Sequence, residues 1–221
     1  MTLPTFTSIL LLVQVIKKKE RNLVKSLKII FIATIVFINY FVIDDKTMTF
    51  VFLLFIILTL FFKKSSEIKL IIAKIVGLII PFFLLSEFWL LTKNFGTTYL
   101  SLRLNERLSN RLFMWNWYYQ KMGVSIFPPF NKLGEYNFWG TIDGSYTLLL
   151  LQYGILFAVT TCIALAISNY LLCKNGYYIL YSIMISFEVG AFCENVLQFY
   201  ALTFIFVFSI CSLCPGWLRK E

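Results

Sequence analysis

The chain alternates between apolar runs and short charged breaks from one end to the other. Leu3–Ile16 is a short apolar run, and residues 17–28, KKKERNLVKSLK, follow it with six basic residues in twelve. Ile29–Ile43 and Met48–Phe62 are two apolar segments parted by DDKT. Each covers about 22 Å as a straight helix, against about 30 Å for a hydrocarbon core. They predict a helical hairpin with Asp44 and Asp45 at its outer turn, its length made up by snorkelling of Lys28, Lys46 and Lys63. A basic break, KKSSEIK, leads into Leu70–Leu91, a full span with Pro81 as the expected kink and Glu87 near its outer end. After a long interruption, Tyr146–Leu171 crosses back. Tyr177–Ala191 and Val196–Leu213 then close the chain as a hairpin around Glu194 and Asn195, before a basic tail. The pattern predicts an all-α fold, a polytopic membrane helical bundle of about six spans. Residues 1–221 form a single transmembrane domain in this reading, with 92–144 as one long extracellular loop.

Composition agrees with that pattern. At 59% hydrophobic and 19% aromatic over 221 residues, too little polar surface remains to keep a soluble domain in solution. The net charge of +9 sits at the ends of apolar segments, where it sets topology and meets anionic headgroups rather than nucleic acid. With the basic breaks inside, the amino terminus lies outside and the carboxyl terminus in the cytoplasm. The first apolar run lacks a basic leader and a small-residue cleavage site, so it is expected to remain in the chain. All five cysteines lie in or beside apolar segments. Cys211 and Cys214 have CxxC spacing but no second ligand pair, and the chain has no histidine, so neither a metal nor a cofactor is expected. Without histidine the usual general base is missing, and chemistry falls to carboxylates, Arg, Lys, Tyr or Ser.

The long interruption holds Arg103, Arg107 and Arg111, four residues apart. That spacing predicts one cationic face on a single helix over 100–122, with guanidinium groups roughly 6 Å apart. A parallel stripe of Leu100, Leu104, Leu108, Leu112 and Trp115 makes the helix amphipathic. Two readings fit. The helix lies in the interface, with Arg on lipid phosphate and Trp and Tyr at headgroup depth. Alternatively, the guanidinium forks clamp a diphosphate. Glu106 is expected to pair with Arg103 or Asn110. Asp143, just before Gly144-Ser145-Tyr146, is either an ordinary helix cap or a site carboxylate. Glu188 stands inside an apolar segment, where a carboxyl is a functional candidate or a residue paired within the bundle.

The order of these features resembles the bacterial polysaccharide repeat-unit polymerases, the Wzy-like members of the O-antigen polymerase and ligase superfamily. The residues that carry the resemblance are Leu108-Ser109-Asn110-Arg111, with Asn110 where glycine is usual, then Asp143-Gly144-Ser145-Tyr146 and Tyr153-Gly154. The resemblance implies a metal-independent membrane glycosyltransferase in the bacterial plasma membrane. It would polymerise polyprenyl diphosphate-linked oligosaccharide repeat units into capsular or exopolysaccharide at the outer face. Arg103, Arg107, Arg111, Tyr146 and Trp115 would then bind diphosphate or substrate, and Asp143 or Glu188 would be the catalytic carboxylate. Family members have ten or more spans, so the chain resembles a carboxyl-terminal half. Its partners would be the lipid-linked glycans, membrane lipids, other export proteins and a missing amino-terminal half. The alternative is a non-catalytic component of polysaccharide export, of transporter, flippase or accessory type. A transporter should show an internal repeat with matched broken spans, and the spans offer only Pro81. A ligase of the same superfamily would lean on a loop histidine, which the chain lacks.

Overall fold

The computed structural model describes residues 22–41, 46–63, 66–93, 98–108, 110–127 and 144–192. Every regular element among them is helical, and none is a strand. The segments Leu3–Ile16 and Val196–Leu213, with Asp143, Glu194 and Asn195, lie outside the described residues. Helices α1 (Asn22–Phe41) and α2 (Lys46–Lys63) pack against each other, and Asp44 and Asp45, expected at their outer turn, lie outside the described residues. Next come α3 (Glu67–Leu84) and the short α4 (Glu87–Leu91), followed by α5 (Tyr99–Arg107) and α6 (Arg111–Met122). A one-turn α7 (Ser145–Leu148) passes through a π-helical turn, Leu149–Tyr153, into α8 (Gly154–Lys174). After a turn at Asn175 and Gly176 the chain folds back as α9 (Tyr178–Gly190). Two stretches, Glu67–Leu91 and Ser145–Lys174, are long and apolar enough to cross a membrane. The apolar parts of α1, α2 and α9 are shorter.

Helix α3 starts where its sequence can satisfy a helix end. Ser66 accepts a hydrogen bond from the Lys69 N–H (3.4 Å), and Glu67 faces the positive end of the helix. Its buried face is Ala73, Gly77, Pro81 and Leu84, mostly small residues. The large side chains Ile68, Ile71, Ile75, Ile79 and Phe83 point outward and are exposed. This inverts the amphipathic helix of a water-soluble protein, and in water such a surface would promote association. The small face lets α3 approach α8 and α9 closely. A Cβ on Gly77 would stand 3.0 Å from both Asn169 Cβ and Tyr181 Cε2.

Pro81 decides what fills that contact. Lacking an N–H, it leaves the Gly77 carbonyl without its helical donor. Asn169 Nδ2, from α8, donates to that carbonyl at 3.2 Å. The neighbouring carbonyls along the same edge of α3 are met in the same way. Tyr181 Oη donates to Ala73 O at 2.7 Å, and Cys162 Sγ lies 3.4 Å from Pro81 O. A row of side-chain donors on α8 and α9 thus fixes the register of α3. Aromatic packing joins α2 to the same unit, with Phe62 stacked on Tyr178 (4.9 Å, 4°) and edge-on to Tyr181.

Candidate functional site

The short helices α4 to α7 gather at the end of the bundle where α3 finishes and α8 begins. Asn116 Nδ2, on α6, donates to the Leu91 carbonyl at the end of α4 (2.7 Å). Here the single helix expected over 100–122 is corrected. It breaks at 108–110, because Asn110 takes a left-handed conformation (φ 61°) and turns the chain. Asn105 holds the turn from α5. Its carbonyl accepts the Asn110 N–H (2.8 Å), and its Nδ2 donates to Asn110 Oδ1 (2.9 Å). Its own Oδ1 accepts the Phe113 N–H (3.0 Å), so a side chain from the previous helix caps α6. The left-handed conformation also accounts for Asn110 in the glycine slot of the resembled motif, since Asn tolerates that region best among residues with a Cβ. Asn110→Val is expected to cost about 1–2 kcal/mol, and Asn110→Gly less, in thermal melts of the detergent-solubilised protein. Equal melting temperatures for the two variants would contradict this.

The break divides the arginine row. Arg103 and Arg107 stay on α5, while Arg111 opens α6. Arg103 is exposed, its guanidinium 4.9 Å from the centre of the Tyr99 ring. The side chain of Arg107 lies outside the described residues. Arg111 is half-buried, one turn before Trp115 on the same helix face. Glu106 is exposed, and the Asn110 side chain pairs with Asn105 rather than with it.

Trp115 is buried and packs where the long interruption ends. A Cβ on Gly144 would stand 2.7 Å from its ring, and Gly144 has φ 102°, so glycine is required there twice over. Phe192 meets the ring edge-on at 5.8 Å. Trp115 therefore seats the start of α7 from below α6. The first N–H groups of α7 have no cap from Gly144 and find partners on two other elements. Ser145 N–H donates to Ala191 O, at the end of α9 (2.8 Å). Thr147 donates through both its N–H and its Oγ1 to Glu87 Oε2, each at 2.6 Å. Glu87 is completely buried and acts as a capping residue supplied by α4.

Tyr146 is also fully buried. Its hydroxyl and the second carboxylate oxygen of Glu87, Oε1, have no hydrogen-bond partner among the described residues. Glu188 is buried and tied, since Asn169 Nδ2 donates to its Oε1 (2.9 Å) and its Oε2 (3.0 Å). That one amide group, with two hydrogens, therefore serves the carboxyl of α9 and the proline-freed carbonyl of α3 together.

The Tyr153-Gly154 pair is where the helix changes from π to α. Gly154 has φ 84°, and a Cβ there would lie 2.8 Å from Ile126 O and 2.9 Å from Ser125 O. The close approach lets Ile155 N–H donate to Ser125 O (2.9 Å) and Leu156 N–H to Ile126 O (3.2 Å). The segment after α6 thereby caps α8.

The structure brings Trp115 against the start of α7, next to Tyr146, with Arg111 one turn before Trp115 on the same helix, while Glu188 is held through Asn169 at the level of Gly77, midway along α3. Arg103 stays on the exposed α5. Sequence reasoning passed over Glu87, Asn169 and Thr147. Glu87 stands among apolar residues in FFLLSEFWLL, and the argument applied to Glu188 was available for it too. No group of three or more His, Cys, Asp or Glu able to hold a metal ion occurs among the described residues.

Among the described residues these features define an all-helical protein with two helices long and apolar enough to cross a membrane and buried polar groups where its short helices meet. Comparison with family models, curated proteins and solved structures returns no match to the chain.

Proposed function

We propose that the protein is a membrane-embedded polymerase of polyprenyl diphosphate-linked glycans, of the Wzy-like kind, with about six spans and the basic breaks in the cytoplasm. The helical layer of α4 to α7 then lies at the outer face of the plasma membrane. A hydroxyl of one lipid-linked repeat unit attacks the anomeric carbon of another, and the polyprenyl diphosphate leaves with the bonding electron pair. Guanidinium groups stabilise the charge that develops on the leaving diphosphate, so their binding energy is expressed in the transition state. The outward-facing Ile and Phe side chains of α3 suit acyl chains on the same reading.

One observation carries the reading. The two resembled motifs are 33 residues apart in sequence, from Arg111 to Gly144, yet Trp115, one turn after Arg111 on the same helix, packs directly on Gly144. Arg111 starts the helix that carries Trp115 and lies one turn before it on the same face.

The test is polymer length in the native host after its own copy is replaced. Arg111→Ala is expected to lower long-chain polysaccharide by about 100-fold or more, the usual cost of a charge-stabilising donor. Arg111→Lys, which keeps charge but loses the fork, should recover only part of it. Unchanged long-chain polymer in Arg111→Ala, with normal protein in the membrane, would overturn the reading and favour a non-catalytic export component.

A further inference from the structure

We propose that α5 docks on the membrane surface, with Tyr99, Leu100 and Leu102 in the boundary between headgroups and acyl chains and Arg103 on the phosphate of an anionic phospholipid. The inference needs the chain to sit in a membrane, and it holds whether or not the chain polymerises glycans.

Helix α5 is built inside out. Its side toward the protein is polar. Asn105 is buried there, its amide shared between Asn110 and the Phe113 N–H, and the half-buried Ser101 Oγ donates to Thr98 O (2.8 Å). At about 100° per residue, Tyr99, Leu102, Arg103 and Glu106 share the opposite side, and Leu100 borders it. All five are exposed, Leu100 at 79% and Tyr99 at 70%. A surface helix in water turns its apolar side inward, and α5 turns its own outward. The leucine stripe read from the sequence is divided in consequence, with Leu100 outside on α5 and Leu112 buried on α6.

The cation is placed for a phosphate. The Arg103 guanidinium lies 4.9 Å from the centre of the Tyr99 ring, and contact with a ring does not consume the N–H fork that binds phosphate oxygens. The same pairing recurs just beyond the apolar stretch Glu67–Leu91, where Lys93 Nζ is 5.2 Å from the centre of the exposed Trp89 ring. A Tyr or Trp ring with a cation beside it suits headgroup depth. Both pairs belong to one end of the bundle, since Asn105 ties α5 to α6 and Asn116 ties α6 to the end of α4. Glu106 would repel a phosphate, so the face leaves the boundary at the last turn of α5, where that carboxylate meets water.

A lipid surface fits this face better than a second protein does. Nine residues make a helix about 14 Å long and about 10 Å wide, far short of the roughly 800 Å² per partner of a stable protein interface. Headgroups and acyl chains need no matched outline, and their phosphate supplies the charge opposite to Arg103.

The experiment reconstitutes the full chain in vesicles of phosphatidylcholine and phosphatidylglycerol that contain no polyprenyl lipid. The photoreactive residue benzoylphenylalanine replaces Leu100 or Leu102, or Ser101 or Leu108 on the other side, one position at a time, and mass spectrometry reads the adducts. Phospholipid adducts at Leu100 and Leu102 about tenfold or more above those at Ser101 or Leu108 are expected. Phosphatidylglycerol should be enriched in them about fivefold over its share of the vesicle, the worth of one basic residue at an anionic surface, and Arg103→Ala should remove that enrichment. Adducts no higher than at the control positions overturn the inference, as do adducts to a second copy of the chain in place of lipid. Enrichment that survives Arg103→Ala overturns it too. Polyprenyl diphosphate added to the vesicles should leave the adducts in place, and their displacement would give the face to that lipid and overturn the inference. Wild-type polymer in Arg111→Ala removes the polymerase reading and leaves these adducts untouched, so the two fail separately.

Discussion

Gly154→Ala is expected to loosen the attachment of the segment after α6 to α8 and to destabilise the protein by roughly 2–5 kcal/mol. Two separate costs add. The residue sits at φ 84° and ψ 172°, a region that is essentially glycine's own. The new Cβ would also come within 2.9 Å of backbone atoms of Ser125, Ile126 and Phe127, and backbone cannot swing aside as a flexible side-chain tip does. Relief requires that segment to withdraw, and withdrawal strips Ile155 and Leu156 of their hydrogen-bond acceptors. A lower melting temperature in detergent, together with new protease cleavage near Ser125, is the expected result. A variant with wild-type stability and cleavage would show that the close approach at Gly154 is not a fixed feature.

Asn169→Leu is expected to cost about 2–3 kcal/mol, because it leaves two buried acceptors without a donor. One is the Glu188 carboxyl, and the other is the Gly77 carbonyl that Pro81 has already deprived of its helical bond. The companion variants separate the two. Glu188→Leu in the Asn169→Leu background should recover part of the loss, since replacing both partners of a buried pair costs less than replacing one. Pro81→Ala in the same background should recover another part by restoring the helical donor. A cycle in which the three changes are simply additive would show that Asn169 does not couple α3 to α9.

Much of the helical layout was legible in the chain. The apolar runs beginning at Ile29, Met48, Leu70, Tyr146 and Tyr177 all carry helices, because unbroken apolar stretches can satisfy their backbone groups only within themselves. The breaks were less legible. The arginine row at spacing four read as one helix, since nothing in LSNR except a single Asn marks a left-handed turn. The π-helical turn inside LLLLQYG was hidden for a related reason. Its four consecutive leucines are all buried, so they show no amphipathic period whose slippage would give away an extra residue. The letters around Trp115 do not show that its ring lies against Gly144 and Phe192. Aromatic residues at an interface and in a core are the same letters.

The sequence by itself determined the all-helical class, the positions of the long apolar helices and the carboxyl at Glu188. Local rules govern each of these, namely hydropathy, helix ends and the cost of a charge among apolar neighbours. Only the tertiary structure decided which polar groups meet. Glu87 reaches Thr147 across 60 residues, and Asn169 reaches Gly77 across 92. Pairings at that range follow from how α3 seats on α8 and α9, and that seating depends on small residues and one proline rather than on any contiguous motif.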